Sequence, residues 1–283
     1  MIIDLRTQAP HPSDDSAEHG ASAFDEAMSC VDVAAVVAEG CERLGVACTN
    51  DAVADFVSQS PDKRIGFAAI DPLKDSALDD LERAIERGFS GVMINPADQG
   101  YRPTHENAFA VCRRCAQGSM PVLVANPMLR HPGSQLEFAS PALLDEIVRE
   151  LPELTVILGD FGKIFLEETL LMVAKHPRVF AEISGAVSRP WTLYTAMIAA
   201  HERGVLHKLL FGSGYPAETP EAVIERVYTI NSLRGGTELP SVPREGLRSI
   251  VERHAFACVG INPPAEHTGD EPRLTAGTEP AQA

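Results

Sequence analysis

Short apolar runs, each followed by an amphipathic stretch, recur along residues 2–211. That alternation belongs to βαβ units, whose strands lie parallel in one sheet while the intervening helices cover it. It predicts strands over residues 2–5, 45–48, 64–70, 91–95, 121–125, 154–159, 179–183 and 208–211, eight in all. Eight units in series predict an α/β fold of the (β/α)8 barrel type, because closure leaves no open sheet edge. The size agrees, since 283 residues, 45% of them hydrophobic, suit a barrel of roughly 250 residues plus a tail.

Between these strands the spacing predicts helices over 33–44, with Asp32 as N-cap, over 51–59, closed by Pro61, and over 76–87 and 141–150. Gly88 follows the third of these where a left-handed helix stop is expected. Residues 8–23, with Pro10, Pro12, Asp14, Asp15 and Gly20, read as a loop too polar for a core element. After Ile261 the chain turns to Pro, Thr, Gly, Ala and Glu, with too little apolar surface to repay ordering. The expected organisation is a barrel over 1–261 and a flexible, disordered tail over 262–283.

Charge narrows the partners. With 24 Lys and Arg against 40 Asp and Glu, the formal charge of −16 repels nucleic acid phosphates and anionic membrane surfaces. The N-terminus lacks a basic segment followed by an apolar one, and no run reaches about 18 apolar residues, so a cytoplasmic location is expected. The six cysteines read as reduced thiols and not as a disulfide framework. Cys112 and Cys115 have metal-ligand spacing but fall in an Ala-rich helical stretch without a second pair, so they read as core cysteines.

In a parallel barrel the active site forms at the C-terminal strand ends. Those positions hold Arg6, Gln8, Asp71, Asn95, Ala125, Asn126, Asp160, Glu182, Ser184, Ser213 and Gly214. None of the nine histidines falls there; His176, His201 and His207, for example, fall on or near helices or before the last strand.

Several phrases carry a resemblance. They are Ile3-Asp4, Ile65-Gly66-Phe67-Ala68-Ala69-Ile70-Asp71-Pro72, Gly88-Phe89-Ser90-Gly91-Val92-Met93-Ile94-Asn95-Pro96, Ser140-Pro141, Val179-Phe180-Ala181-Glu182-Ile183-Ser184-Gly185 and Phe211-Gly212-Ser213-Gly214-Tyr215-Pro216. In order and spacing the chain resembles the amidohydrolase-related family that includes aminocarboxymuconate-semialdehyde decarboxylase. The resemblance implies a barrel enzyme, a hydrolase or decarboxylase of small carboxylated substrates, using a divalent metal such as zinc or manganese. In that family the metal is held by H-x-H after the first Asp, by a His ending strand five, by a His ending strand six and by an Asp in F-G-S-D-Y-P. The matching positions here are Arg6, Gln8, Ala125, Asp160 and Gly214. A catalytic zinc needs about three protein ligands, and of these five only Asp160 could still ligate one. Metal-independent relatives such as 2-pyrone-4,6-dicarboxylate lactonase use the strand-eight aspartate for proton transfer, and that position is Gly214.

The expectation is therefore a barrel without cofactor, its metal site lost, that binds a ligand or partner instead of turning over substrate. A metal-free hydrolase or decarboxylase, or one with displaced ligands, is the alternative. Arg6 is expected to pair with Asp160, either within a plugged barrel completed by Gln8 and Asn95 or in a pocket where Arg6 forks onto a small carboxylate or phosphate. Glu182 and Ser184 could supply a base and a hydrogen bond. His11 and His131, on the same barrel face, could join Asp160 in an unconventional metal site. A homodimer, or pairing with an active relative, is the expected assembly.

Overall fold

The computed structural model describes residues 1–10, 20–46, 49–159, 161, 163–262 and 264. Eight parallel strands follow one another around a single sheet: β1 Ile3–Thr7, β2 Val33–Val37, β3 Arg64–Ala69, β4 Gly91–Ile94, β5 Val122–Val124, β6 Val156–Leu158, β7 Val179–Glu182 and β8 Leu209–Leu210. The ring closes where Leu5 N donates to Phe211 O at 3.0 Å and Thr7 bridges Tyr215 in parallel. This is the (β/α)8 TIM-barrel fold that the alternating runs predict.

Period-two alternation sorts the strand side chains into two cores. Ile3, Val33, Ala35, Val37, Phe67, Met93, Leu123, Ile157, Phe180 and Leu210 fill the barrel interior. Ala34, Val36, Ala68, Val92, Ile94, Val122 and Val156 face the surrounding helices. Two glycines make room for bulk: a Cβ on Gly91 would lie 2.3 Å from the Phe67 ring, and one on Gly66 would lie 2.9 Å from Phe89. The helix Ala255–Val259 adds Phe256 and Val259 to the inner core beside β1.

The second βα unit corrects the sequence reading. Residues 33–44 are not a helix, and 45–48 are not the second strand: Val33–Val37 is β2, buried at every position and paired with both β1 and β3. A parallel strand covered on both faces is apolar throughout, so an Ala-Val run carries no alternation to separate it from a buried helix. Gly45 ends a short turn over Glu42–Leu44 with φ of 73°, Val46 bridges back to Cys41, and 47–48 lie outside the described residues. The expected loop over 8–23 also ends early, because Ala21–Ala27 is a helix whose Phe24 packs edge-on against Phe56 and Tyr215. Gly88 has the left-handed φ its helix-stop role requires, 79°. The expected tail falls almost wholly outside the described residues, where Asn262 and Pro264 are described.

Cys112 and Cys115 are buried in the helix Glu106–Gln117, and burial pushes the Cys112 thiol up to about 12 and Cys115 higher still. Thiols so far from ionising are core residues. Among the described residues no helix is long and apolar enough to cross a membrane.

Candidate functional site

An irregularity in β1 builds the site. Asp4 pairs with Ala34 of β2, but Thr7 pairs with Val36, so β1 carries one residue more than its partner across this stretch. Such a bulge re-aims a side chain. Leu5 stays in the inner core, and Arg6 also reaches the interior, its Nη1 3.5 Å from the Met93 sulfur. The Asp4 carboxylate sets this corner. Its Oδ1 accepts from Arg6 N at 3.1 Å and from Ser213 N at 2.9 Å, joining β1 to the segment after β8. Asp4 is fully buried and its Oδ2 has no partner among the described residues; burial raises its carboxyl from 3.8 to about 6 against the lowering effect of those hydrogen bonds.

Arg6 pairs with Glu39, two residues beyond β2, through Nη2 and Oε1. The other Glu39 oxygen accepts from Gln8 Nε2 at 2.5 Å. Both partners of the ion pair are nearly buried, at 8% and 10% side-chain exposure. Reading residues 33–44 as a helix hides Glu39; a strand ending at Val37 puts it on the active face. The signal available was the β-branched run followed by Glu39-Gly40, at the spacing of a strand end.

Glu182 closes β7 with its carboxylate cradled by two glycines. A Cβ on Gly212 would lie 2.6 Å from Oε2 and 3.1 Å from the Arg6 Cβ, while one on Gly159 would lie 3.1 Å from Oε1 and 2.6 Å from the Ala125 Cβ. Ser184 donates to it twice, from its backbone N at 2.7 Å and its hydroxyl at 2.9 Å. Gly214 stands beside Ser184 at φ of 76°, and its N donates to Arg6 O at 2.9 Å. A side chain at 214 would be strained by that φ and would meet the Ser184 Cβ at 3.3 Å.

Above this floor the barrel mouth opens into a cavity of about 1170 Å³. Arg6, Gln8, Ser184 and Gly214 line it, joined by Glu39 and by Arg130, His131, Lys163 and Arg189. Among the described residues nothing plugs the mouth. Asn95, Asn126 and Ser213, expected at the pocket, are buried and bonded to backbone: Asn95 Nδ2 donates to Ala125 O at 3.0 Å, Asn126 Oδ1 accepts from Ala97 N at 2.8 Å, and Ser213 Oγ accepts from Tyr215 N at 3.1 Å. Asn95 thus does not complete the hydrogen bonds of Arg6 as expected. Asp160 and His11 lie outside the described residues, as do residues 12–19. His131 is on the cavity wall, its Nδ1 accepting from Gly133 N at 3.0 Å. Among the described residues no group of three His, Cys, Asp or Glu is arranged to hold a metal.

Solved structures share the whole architecture. An uncharacterized TIM-barrel protein from Bordetella bronchiseptica superposes with a TM-score of 0.72 at 17% identity, over 92% of this chain and 99% of that one. A probable 2-pyrone-4,6-dicarboxylic acid hydrolase from Acinetobacter baumannii, with citric acid bound, gives 0.66 at 16% identity over 92% and 99%. The 2,6-dihydroxybenzoate decarboxylase from Rhizobium gives 0.63 at 16% identity over 92% and 98%. No curated protein matches the sequence. These likenesses carry the fold; kinship rests on the amidohydrolase family profile, which matches residues 7–239, and the chain belongs to that family.

Proposed function

We propose that this amidohydrolase-family barrel binds a small polycarboxylate at its mouth without a metal, and that it has kept ligand recognition while losing the family's hydrolytic chemistry. The observation that carries the reading is the charge of the cavity wall. Arg6, Arg130, Lys163 and Arg189 line it against one acidic residue among the described lining, Glu39, in a chain whose formal charge is −16. A cationic concavity in an anionic protein concentrates field on an anion, and guanidinium forks suit carboxylates.

The donor chemistry supports the metal-free part. Arg6 brings a positive charge to a position where the family holds a cation, and such charges repel. Gln8 gives its Nε2 to Glu39 and keeps only a neutral amide oxygen, and Ala125 and Gly214 offer no side-chain ligand atom. The Arg6 to Glu39 pair stands at the end of β1, where the first of the family's ligand positions falls.

Thermal unfolding with citrate, tricarballylate and benzoate, against chloride at matched ionic strength, tests the binding. A ligand at about 100 times its Kd stabilises by about 2.7 kcal/mol, roughly 5 °C for a domain of this size. The expected order is citrate and tricarballylate above benzoate. Shifts equal to chloride overturn the reading, and stoichiometric zinc or manganese after loading and desalting overturns its metal-free part.

A second reading, a metal-free hydrolase or decarboxylase of a carboxylated substrate, is favoured by the buried Glu182 carboxylate beside Arg6 and the cavity-lining Ser184. Turnover of 2-pyrone-4,6-dicarboxylate or 2,6-dihydroxybenzoate that Glu182→Gln abolishes would establish it over the first.

A further inference from the structure

The wall of the cavity that carries Arg130 and His131 belongs to a connection without regular structure between β5 and the short turn Leu136–Phe138. Yet it is tied down at both ends by one side chain. Asp98, fully buried in the short helix Pro96–Gln99, accepts from Met128 N at 2.9 Å through Oδ2 and from the Ser134 hydroxyl at 2.7 Å through Oδ1. The two oxygens of a single carboxylate thus bracket the segment that presents Arg130 and His131.

A second tie comes from the connection after β2. Arg43 Nε and Nη2 donate to Asp98 O at 3.0 and 2.8 Å, and Nη2 also donates to Gly133 O at 2.5 Å. Gln135 N donates to Ala97 O at 2.8 Å. Gly133 fits closely, since a Cβ there would lie 2.7 Å from Leu44 Cδ2 and 3.1 Å from His131 Nδ1. Neither Asp98 nor Arg43 lines the cavity.

We infer that Asp98, Ser134 and Arg43 form a clasp of positioning residues that holds the Arg130 and His131 arm against the ligand cavity. The inference rests on the polycarboxylate reading for what the arm does, and on the hydrogen bonds above for how it is held. An unrestrained loop would have to be ordered by each incoming ligand, which weakens binding; the clasp supplies that order beforehand. It also links the loop that provides Glu39 to the loop that provides Arg130, so two sides of the cavity keep a fixed relation.

The test reads the arm and the ligand separately, in the full-length chain. Native-state trypsin cleavage after Arg130, scored by mass spectrometry, reports opening of the arm, and calorimetric titration with citrate reports the cavity. Ser134→Ala, a neutral change, and Arg43→Ala, at an exposed side chain, are both expected to leave the protein folded, with a melting temperature lowered by only about 2–3 °C. Each should speed that cleavage by about tenfold and raise the citrate Kd by about five- to tenfold. Ser134→Thr, which keeps the hydroxyl, should restore both values. An unchanged cleavage rate in both variants overturns the clasp, and faster cleavage with an unchanged Kd overturns its role in the cavity. Absence of citrate binding by the wild type overturns the polycarboxylate reading itself, and the cleavage rate then decides the clasp by itself.

Discussion

Arg6→Ala is expected to lower the unfolding free energy by about 3–5 kcal/mol and to abolish the citrate-induced thermal shift. The first effect follows from burial. With both partners near 10% exposure or below, removing the guanidinium strands the Glu39 carboxylate in a site with little water. Gln8 still donates to Glu39, but one amide cannot replace an ion pair that was also hydrogen-bonded. Glu39→Ala should cost a similar amount for the mirrored reason. The double variant Arg6→Met with Glu39→Met removes both charges and keeps volume, so its cost should fall well below the sum of the single changes. Urea midpoints for the wild type, Arg6→Met, Glu39→Met and the double variant give the coupling directly. A loss of less than about 1 kcal/mol in either alanine variant would mean that the pair is solvated like a surface ion pair. The second effect separates stability from recognition: because the double variant tolerates the loss of charge, it should fold well and still show no citrate shift.

Asp4 gives the second large effect, and its sign is opposite to that of most carboxylates. Its folded-state value near 6 lies above the ordinary 3.8, so between those values the folded chain holds a proton that the unfolded chain has released. Stability from this group is complete below pH 3.8 and is lost as the pH rises through about 6. At about 1.36 kcal/mol per unit, the loss amounts to about 3 kcal/mol. Asp145 works the other way. Hydrogen bonds from Lys175 and His176 lower its carboxyl to about 2, so its contribution is present above the ordinary value and lost as the pH falls through about 2. The comparison that isolates Asp4 is therefore with Asp4→Asn, whose stability should lack the decline between pH 3.8 and about 6. Parallel pH profiles for the two proteins would place the Asp4 carboxylate in a better-solvated setting than its burial indicates.

The sequence made most of the barrel legible because seven of its strands are bounded by helix signals and turn residues, as at Gly88. The second unit hid itself for a physical reason. Val33-Ala34-Ala35-Val36-Val37 is buried on both faces, and such a run has the same composition as a core helix. That single misreading concealed Glu39, and with it the partner of Arg6. Arg6, Gln8, Ser184 and Gly214 were legible from position at strand ends and do line the cavity. Position could not tell that Asn95, Asn126 and Ser213 lie off the wall of this cavity, because whether an amide or hydroxyl faces a given cavity or bonds a neighbouring backbone depends on the path of the loops. Arg130, Lys163 and Arg189 come from those loops, whose course no periodicity encodes.

The hydrogen bond from Ser213 N to Asp4 Oδ1 spans 209 residues of chain. During synthesis the first strand leaves the ribosome with its second neighbour still unmade, and at about 5–20 residues per second that neighbour arrives roughly 10–40 s later. Until then Ile3 and Leu5 have one finished flank, and the cavity floor does not exist, because Arg6, Gly212 and Gly214 have yet to meet. The site is thus assembled only once β8 and the segment after it are made, and until then a nascent chain leaves one edge of β1 unpaired.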